Sequence, residues 1–166
     1  RGSSAASDVY KRQLLEEALT HSSARKSSKA NNERLEFLGD RVLGLIIAEE
    51  LLRLNPNSTE GQIATYYNYL VKKETCALIA KEIGLENLLT LGKSVKRTSN
   101  RQKDKILGNA VEALIAAIFL DSGFKTAKEV VLKVWRKQID LVRDIEAHAK
   151  TALQELLQSE GQEPPI

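Results

Sequence analysis

Apolar residues recur along most of the chain at the three- and four-residue spacing of amphipathic helices, without the alternation typical of strands. The longest such segment predicts a helix from about Glu33 to Leu54, which Asn55-Pro56-Asn57 stops. A short helix that ends near Thr20-His21 is predicted upstream from the apolar positions Leu14, Leu15, Ala18 and Leu19. The pattern therefore predicts an all-α fold.

Capping and stop signals predict where the remaining helices begin and end. Thr59 and Gln62 form a capping box for a helix to about Lys73, and Gly84 should end the short helix over 74–83. After a polar, basic loop over 92–105, a strongly apolar helix should run over 106–120 and close at 121–123. Capping boxes at 126–129 and 151–154 predict two more helices, to about residues 147 and 160.

The 166 residues suit one domain with a fragment of a second. Residues 1–7 lack an initial Met and resemble a cloning leader, so the fold is predicted from the residues that follow them. Residues 8–147 should form the main domain, and residues 148–166 a charged linker with the start of another domain.

Composition restricts the compartment and the kinds of site. The chain is 42% hydrophobic and 28% charged, with a net charge of +3, so nucleic-acid contacts would depend on local basic patches. Cys76 is the single cysteine, which excludes an internal disulfide and predicts a buried packing thiol. The longest apolar run, residues 113–120, is too short to span a bilayer. We expect a cytoplasmic protein that does not act at a membrane.

Three acids lie along one face of the long predicted helix: Glu33, Glu36 and Asp40. Like charges at this spacing destabilise a helix slightly, and a divalent cation would compensate them. A solvated acidic face balanced by Arg34 and Arg41 is the alternative.

Glu112 lies within the most apolar predicted helix, where a carboxylate is hard to keep out of the core. An unpaired buried charge costs several kcal/mol, so it needs a cation, a metal or a proton. Asn109, one turn earlier, adds a second oxygen on the same face. If the two helices meet, Glu36, Asp40, Asn109 and Glu112 would make an oxygen-rich site suited to Mg²⁺. A buried ion pair of Glu112 with an arginine or lysine remains the alternative.

The segment NERLEFLGDRV, residues 32–42, resembles the signature of the ribonuclease III family. Agreement continues at Leu19-Thr20-His21, at Glu60-Gly61, at residues 111–115 and at residues 119–121. The resemblance covers about residues 14–144, and residues 150–155 with Pro164-Pro165 resemble the opening of a double-stranded-RNA-binding domain. It implies the helical endonuclease-domain fold of this family, working as a homodimer.

The family resemblance implies an Mg²⁺-dependent endoribonuclease, with Mn²⁺ as a substitute, that cuts double-stranded RNA and takes no small-molecule substrate. A metal-bound water would attack the phosphodiester, leaving staggered cuts with 5′-phosphate and 3′-hydroxyl ends. Precursors of ribosomal and messenger RNA are the substrates it suggests. The catalytic and metal-binding residues it implies are Glu36, Asp40 and Glu112, with Glu33 and Glu60 as supporting acids. Phe37 matches a residue that inserts into the partner subunit, although by sequence position alone it reads as a core residue.

Two positions depart from the family pattern. Asn109 stands where the family usually has aspartate; its carbonyl oxygen can still ligate a metal but carries no charge. Tyr67 stands where a basic residue is usual after Glu60-Gly61, which could alter packing or RNA contact. A catalytically silent RNA-binding or scaffold module of the same fold is therefore a second hypothesis. A helical metal phosphohydrolase of another class would need a histidine–aspartate pair, which the sequence lacks.

Basic residues cluster in the segment GKSVKRTSNRQKDK, which has the density of positive charge that phosphate contacts require. A merely solvated loop is the alternative. Duplex RNA is read mainly through its shape, its 2′-hydroxyls and its phosphates, so little base recognition is expected. The RNA-binding candidates are Lys93, Lys96, Arg97, Arg101 and Lys103, and Lys105 and Arg41 could contribute.

Overall fold

The computed structural model describes residues 5–20, 32–89 and 99–159, without the side chains of residues 5–7, 144–147 and 157. The regular elements in these ranges are helices, which confirms the predicted all-α class. They are α1 (Ala5–Ala18), α2 (Glu33–Leu54), α3 (Glu60–Val71), α4 (Lys73–Glu82), a 3₁₀ turn (Leu85–Asn87) and α5 (Asn100–Ser159).

The helix ends with strong local signals lie where the sequence predicts them. Helix α2 has the predicted bounds, and Thr59 caps α3 in a capping box whose two reciprocal hydrogen bonds with Gln62 are both present. Gly84 follows α4 with a left-handed backbone, φ 76°, which glycine adopts without steric cost. These ends are set by residues within a few positions of one another, so the sequence is sufficient to place them.

Helix α5 differs from the prediction at its start and before Thr151, whereas its end at Ser159 lies close to the predicted end at about residue 160. It begins at Asn100, so the second half of the expected basic loop is helical. Gly123 interrupts it with φ 82° and ψ 176°, as the stop signal there predicts. No second interruption precedes Thr151, and the helix continues to Ser159, because no proline or glycine follows Gly123 within it. At the other terminus, α1 already includes Ala5–Ser7, which the sequence reading excluded from the fold.

The core is formed by one face of each helix. Leu14 and Ala18 of α1 pack in one cluster with Leu35 of α2 and with Ala113, Ala116 and Ala117 of α5. Cys76 of α4 is buried, as predicted, and burial raises the pKa of its thiol to about 12. The thiol therefore stays protonated and acts as a small apolar side chain.

Helices α2 and α5 touch backbone to backbone at Gly39. A Cβ atom at this position would lie 1.7 Å from the carbonyl oxygen of Glu112, a distance that no side chain could occupy. Glycine is therefore required here by the close approach of the two helices. This contact places the turns of α2 that carry the signature acids, Glu36 and Asp40, beside the turn of α5 that carries Glu112.

The chain divides into two compact units, residues 1–134 and 135–166. All residues of the candidate site belong to the first unit. In the second unit α5 continues, and its residues 148–156 are exposed. By length and composition α5 could cross a membrane, but this is a weak indication, because core helices share these features and its most apolar part is 56% buried.

Candidate functional site

Glu112 is the most deeply buried acid of the predicted site. Its side chain is 1% exposed, and its neighbours Ala110, Val111 and Ala113 are buried as well. The close contact of Gly39 with the Glu112 backbone fixes where its carboxylate can reach. A carboxylate in this position needs a compensating charge or a proton.

Lys73 supplies that charge and joins two helices. Its Nζ donates to Glu112 Oε2 at 2.5 Å and to Glu36 Oε1 at 3.3 Å. The structure thus brings Glu36 of α2 and Glu112 of α5 together, as predicted, with the first residue of α4 between them. The alternative of a buried ion pair for Glu112 is realised, with Lys73 as its partner.

The protonation of these groups reflects their burial. Burial raises the pKa of Glu112 to about 7, with smaller contributions from the negative charges of Asp40 and Glu36, although Lys73 opposes the shift. For Lys73, burial lowers the pKa, but the hydrogen bonds and charges of Glu112 and Glu36 outweigh it, so the pKa is raised. Near neutral pH, Lys73 is therefore charged and Glu112 lies close to its titration point.

Two buried oxygen atoms at this place have no hydrogen-bond partner among the residues that the structure describes: Oε1 of Glu112 and Oδ1 of Asn109. Unpaired buried acceptors are rare in folded proteins, and a hard cation would satisfy both. Together with Glu36, they form an all-oxygen donor set of the kind that Mg²⁺ prefers. The donor set therefore fits a divalent cation.

The acids are nevertheless not arranged around a common point. Within residues 5–20, 32–89 and 99–159, no group of three or more His, Cys, Asp or Glu side chains has the geometry to hold a metal ion. Lys73 occupies the space between Glu36 and Glu112, and Asn109 replaces an acid. The four-residue ligand set of Glu36, Asp40, Asn109 and Glu112 thus stays a prediction.

Lys73 was missed by the sequence reading, which gave it only as the end of a helix. It directly follows the break between α3 and α4, at Lys72. A basic residue at a helix break, in a chain with a buried acid that lacks a partner, is the signal that could have identified it. The sequence separation of 37 and 39 residues from its partners hides the contact.

Asp40 and Phe37 lie on the solvent side of α2. Arg41 donates to Asp40 Oδ2 at 3.2 Å, and its guanidinium carbon lies 3.7 Å from the centre of the Phe37 ring. Phe37 is 63% exposed, so the reading of this residue as part of the core is wrong. Arg41 covers the ring, and the acids of the signature extend to the surface at this point.

Three further residues that the sequence singles out are described by the structure: two acids and Tyr67. Glu33 is exposed in the first turn of α2, and Glu60 is exposed in the first turn of α3. Tyr67 packs against α2, because a Cβ at Gly44 would lie 2.5 Å from its hydroxyl oxygen. Burial and the charge of Asp40 raise the pKa of Tyr67, so it is a neutral neighbour of the acids. The tyrosine at position 67 therefore affects the packing of α3 against α2, near Asp40.

Two clefts flank the first turns of α5. One, of about 240 Å³, opens beside the acids of α2, and its lining includes Glu33, Glu36 and Asn109. The other, of about 480 Å³, is lined by Lys73 together with Arg101 and Asp104. Both clefts share Gln102 and Lys105. The acids therefore lie next to positive charge at an open surface.

Only some of the RNA-binding candidates lie within the residues that the structure describes. Arg101 and Lys103 lie in the first turns of α5, where Arg101 is exposed and Lys103 half-buried. Lys93, Lys96 and Arg97 lie outside the described residues. The part that is described places Arg101 and Lys105 on the rim of the cleft that Lys73 also lines.

The chain is similar to characterised proteins over most of its length. It is 51% identical to ribonuclease 3 of Dinoroseobacter shibae over 153 residues, which is 92% of this chain and 67% of the relative. It is 49% identical to ribonuclease 3 of Cereibacter sphaeroides over 148 residues, 89% of this chain and 65% of the relative. The chain thus spans about two thirds of the length of these relatives.

A solved structure and a family match agree with these relatives. The nuclease domain of ribonuclease III from Campylobacter jejuni superimposes with a TM-score of 0.69 at 37% identity, covering 76% of this chain and 87% of that one. Residues 11–139 match the family described as ribonuclease-III-like. With the helical fold and the signature of α2 in place, the chain belongs to the ribonuclease III family.

Proposed function

We propose that this protein is an endoribonuclease that hydrolyses the phosphodiester bonds of double-stranded RNA, with Mg²⁺ as cofactor and Mn²⁺ as a substitute. The observation that carries the proposal is the buried, half-paired Glu112 facing Glu36 across the contact of α2 and α5. Membership of the ribonuclease III family gives the reaction class, and ribonuclease 3 is the name of its relatives at about 50% identity.

The residues that would hold the cation are Glu36, Asp40, Asn109 and Glu112. When bound, the cation would activate water for attack on phosphorus and stabilise charge on the phosphate. Glu112 contributes a carboxylate whose remaining oxygen is unpaired, and Asn109 contributes a neutral carbonyl oxygen. Glu33 and Glu60, both exposed, would act as supporting acids. The products would be staggered ends with 5′-phosphates and 3′-hydroxyls.

The RNA would be held by phosphate contacts around the active site. Arg101 and Lys105 line a cleft next to the acids, with Lys103 half-buried between them in the sequence. Lys93, Lys96 and Arg97 would extend this basic surface. Because these contacts are electrostatic, binding should weaken steeply as the salt concentration rises.

A homodimer would expose each duplex strand to one active site. Helix α2 carries an exposed apolar strip of Phe37, Leu45 and Leu52, beside the signature acids. Exposed apolar side chains on one helix face favour association. The Campylobacter jejuni nuclease domain is described as having a region involved in dimer formation. Phe37→Ala should therefore shift sedimentation toward the monomer, and an unchanged dimer would remove Phe37 from this role.

The remaining features of the proposal concern the whole protein. Residues 8–147 would be the catalytic domain, and residues 148–166 a linker with the start of a double-stranded-RNA-binding domain. We expect cytoplasmic processing of ribosomal and messenger RNA precursors, without a membrane or small-molecule partner.

The proposal is tested by incubating a labelled RNA duplex with the protein in Mg²⁺ and, separately, in EDTA. Staggered products with 5′-phosphate ends, formed only with Mg²⁺, are expected. The absence of cleavage by a folded dimer in Mg²⁺ would favour the silent-module alternative. In that case Asn109→Asp, assayed at low salt, shows whether the missing negative charge is the cause.

A further inference from the structure

Lys73 is positioned by a rigid break in the backbone. Lys72, between α3 and α4, is extended at φ −63° and ψ 155°, so that α4 starts at Lys73. The Thr75 hydroxyl donates to the carbonyl oxygen of Tyr69 at 2.6 Å, and the Cys76 amide donates to that of Lys72 at 3.1 Å. These bonds hold the first turn of α4 in one place.

Gly108 brings that turn directly onto α5. A Cβ at Gly108 would lie 2.8 Å from the carbonyl oxygen of Lys73 and 3.4 Å from Cys76 Cβ. Gly108 immediately precedes Asn109 and lies one helical turn before Glu112. The backbone of Lys73 is thus anchored beside the residues that carry the unpaired acceptors, and only its side chain has freedom to move.

The ammonium of Lys73 lies where a divalent cation would need to bind. It contacts Glu36 Oε1 and Glu112 Oε2, so a cation that ligates both acids must approach the same pair of groups. A single and a double positive charge a few ångströms apart repel each other strongly. The two cations therefore exclude one another.

An open cleft beside Lys73 could accept its side chain when the ammonium leaves the acids. Its side chain is 37% exposed and lines the open cleft of about 480 Å³ that also includes Glu74 and Asp104. Four rotatable bonds allow the ammonium to swing from the acids into this cleft without movement of the backbone.

We propose that Lys73 is a resident counter-cation of the active site, which pairs with Glu36 and Glu112 in the metal-free protein and must be displaced by the divalent ion. It keeps the buried carboxylate compensated when no metal is bound, and it raises the metal concentration at which the site fills. The inference rests on the proposed function, because it takes Glu36 and Glu112 as metal ligands.

The test compares Lys73→Met, which keeps the chain length and removes the charge, with Lys72→Met. Lys72 is the matched control because it is the adjacent lysine and its Nζ lies over the Tyr69 ring, 4.9 Å from the ring centre. Mn²⁺ binding to the full chain is measured by isothermal titration calorimetry at about pH 8, and thermal unfolding is followed in EDTA and in saturating Mn²⁺.

Lys73→Met should bind Mn²⁺ about tenfold more tightly than the wild type, because the repelling charge is gone. In EDTA its melting temperature should fall by about 5 °C, since Glu112 loses its partner, and saturating Mn²⁺ should restore it. Lys72→Met should change neither quantity. A purely structural role of Lys73 would lower stability without tightening metal binding.

Equal or weaker Mn²⁺ binding by Lys73→Met would overturn the inference. If this variant does not fold in EDTA, Lys73→Gln, which retains a hydrogen-bond donor, supplies the affinity comparison. Wild-type protein that binds Mn²⁺, with no gain in the variants, refutes the counter-cation alone. Wild-type protein that binds no Mn²⁺ refutes the metal site of the proposed function as well.

Discussion

Two buried glutamates of this protein, Glu50 and Glu112, meet the same physical problem in different ways. Glu50 of α2 is 3% exposed, and both of its oxygens accept from Arg53, at 2.7 and 3.0 Å, within the same helix. Glu112 of α5 is 1% exposed, takes its partner Lys73 from another helix, and keeps Oε1 unpaired.

The two glutamates differ in whether their partner leaves an oxygen atom available. A bidentate guanidinium uses both oxygens of Glu50 and fixes its geometry, which leaves no acceptor directed toward a metal. The point charge of Lys73 uses one oxygen of Glu112 and is shared with Glu36. A buried carboxylate that is compensated but not saturated can exchange its partner, which is what a metal ligand requires.

The largest expected effect is on catalysis. Glu112→Gln should reduce Mg²⁺-dependent cleavage of duplex RNA by about 10³-fold or more, because a ligand that stabilises transition-state charge is lost. Glu50→Gln should change the rate only a few-fold. Single-turnover assays of both variants, with circular dichroism to verify folding, measure this contrast. Similar losses in the two variants would remove the distinction between the glutamates.

The next effect concerns the backbone that positions Glu112. Gly39→Ala should destabilise the protein by about 3 kcal/mol or more, because a methyl group cannot fit 1.7 Å from the Glu112 carbonyl oxygen. Gly61→Ala is the control, since, outside its own helix turn and chain neighbours, no atom of the described residues lies within 4 Å of its Cβ position. It should be neutral or stabilise by less than about 1 kcal/mol. Urea unfolding of both variants decides whether the α2–α5 contact is as tight as described.

How far the sequence predicts this molecule depends on how local each signal is. The bounds of α2 and the Thr59 capping box were predicted because neighbouring residues determine them. Pairing of Lys73 with Glu36 and Glu112 was not, because it depends on how three helices pack. The apolar spacing of α2 likewise could not show that Phe37 faces solvent, since this helix has apolar residues on two faces.

The start of α5 and its continuity through Thr151 were predicted less well, for another physical reason. Basic residues are compatible with a helix as well as with a loop, so charge alone placed the start too late, after Lys105. Threonine is favoured at helix N-termini but tolerated within helices, and Thr151 lies inside α5. Glu112 was predicted as a candidate because a carboxylate among apolar residues stands out in the sequence itself, before any packing is known.

The third expected effect is a dependence of the free energy of unfolding on pH. The pKa of Glu112 is about 7 in the folded protein, above its ordinary value of 4.5, so the folded state holds this proton more tightly. Stability of the metal-free protein should therefore fall as the pH rises from about 4.5 to about 7, by up to about 3 kcal/mol, and level off above.

Urea unfolding in EDTA across this pH range measures the effect, with Glu112→Gln as the control that lacks the titrating group. The difference in stability between wild type and variant should change with pH. A constant difference would mean that Glu112 titrates at its ordinary pKa. The partial compensation of its charge by Lys73 would then be contradicted.

The smallest expected effect comes from the partner of Glu50. Arg53→Met should destabilise the protein only slightly, because the Arg53 guanidinium is exposed and water can partly take its place beside Glu50. Its Mn²⁺ affinity should equal that of the wild type. Calorimetric titration of this variant beside Lys73→Met sharpens the comparison, and an Arg53→Met variant with tighter metal binding would contradict it.

The most direct test of the central claim is Mn²⁺ binding to Glu112→Gln and Glu50→Gln, measured by isothermal titration calorimetry beside the wild type. Glu112→Gln should lose the binding isotherm, whereas Glu50→Gln should retain the wild-type dissociation constant and stoichiometry. Retention of wild-type Mn²⁺ binding by a folded Glu112→Gln protein would show that the half-paired carboxylate is not a metal ligand.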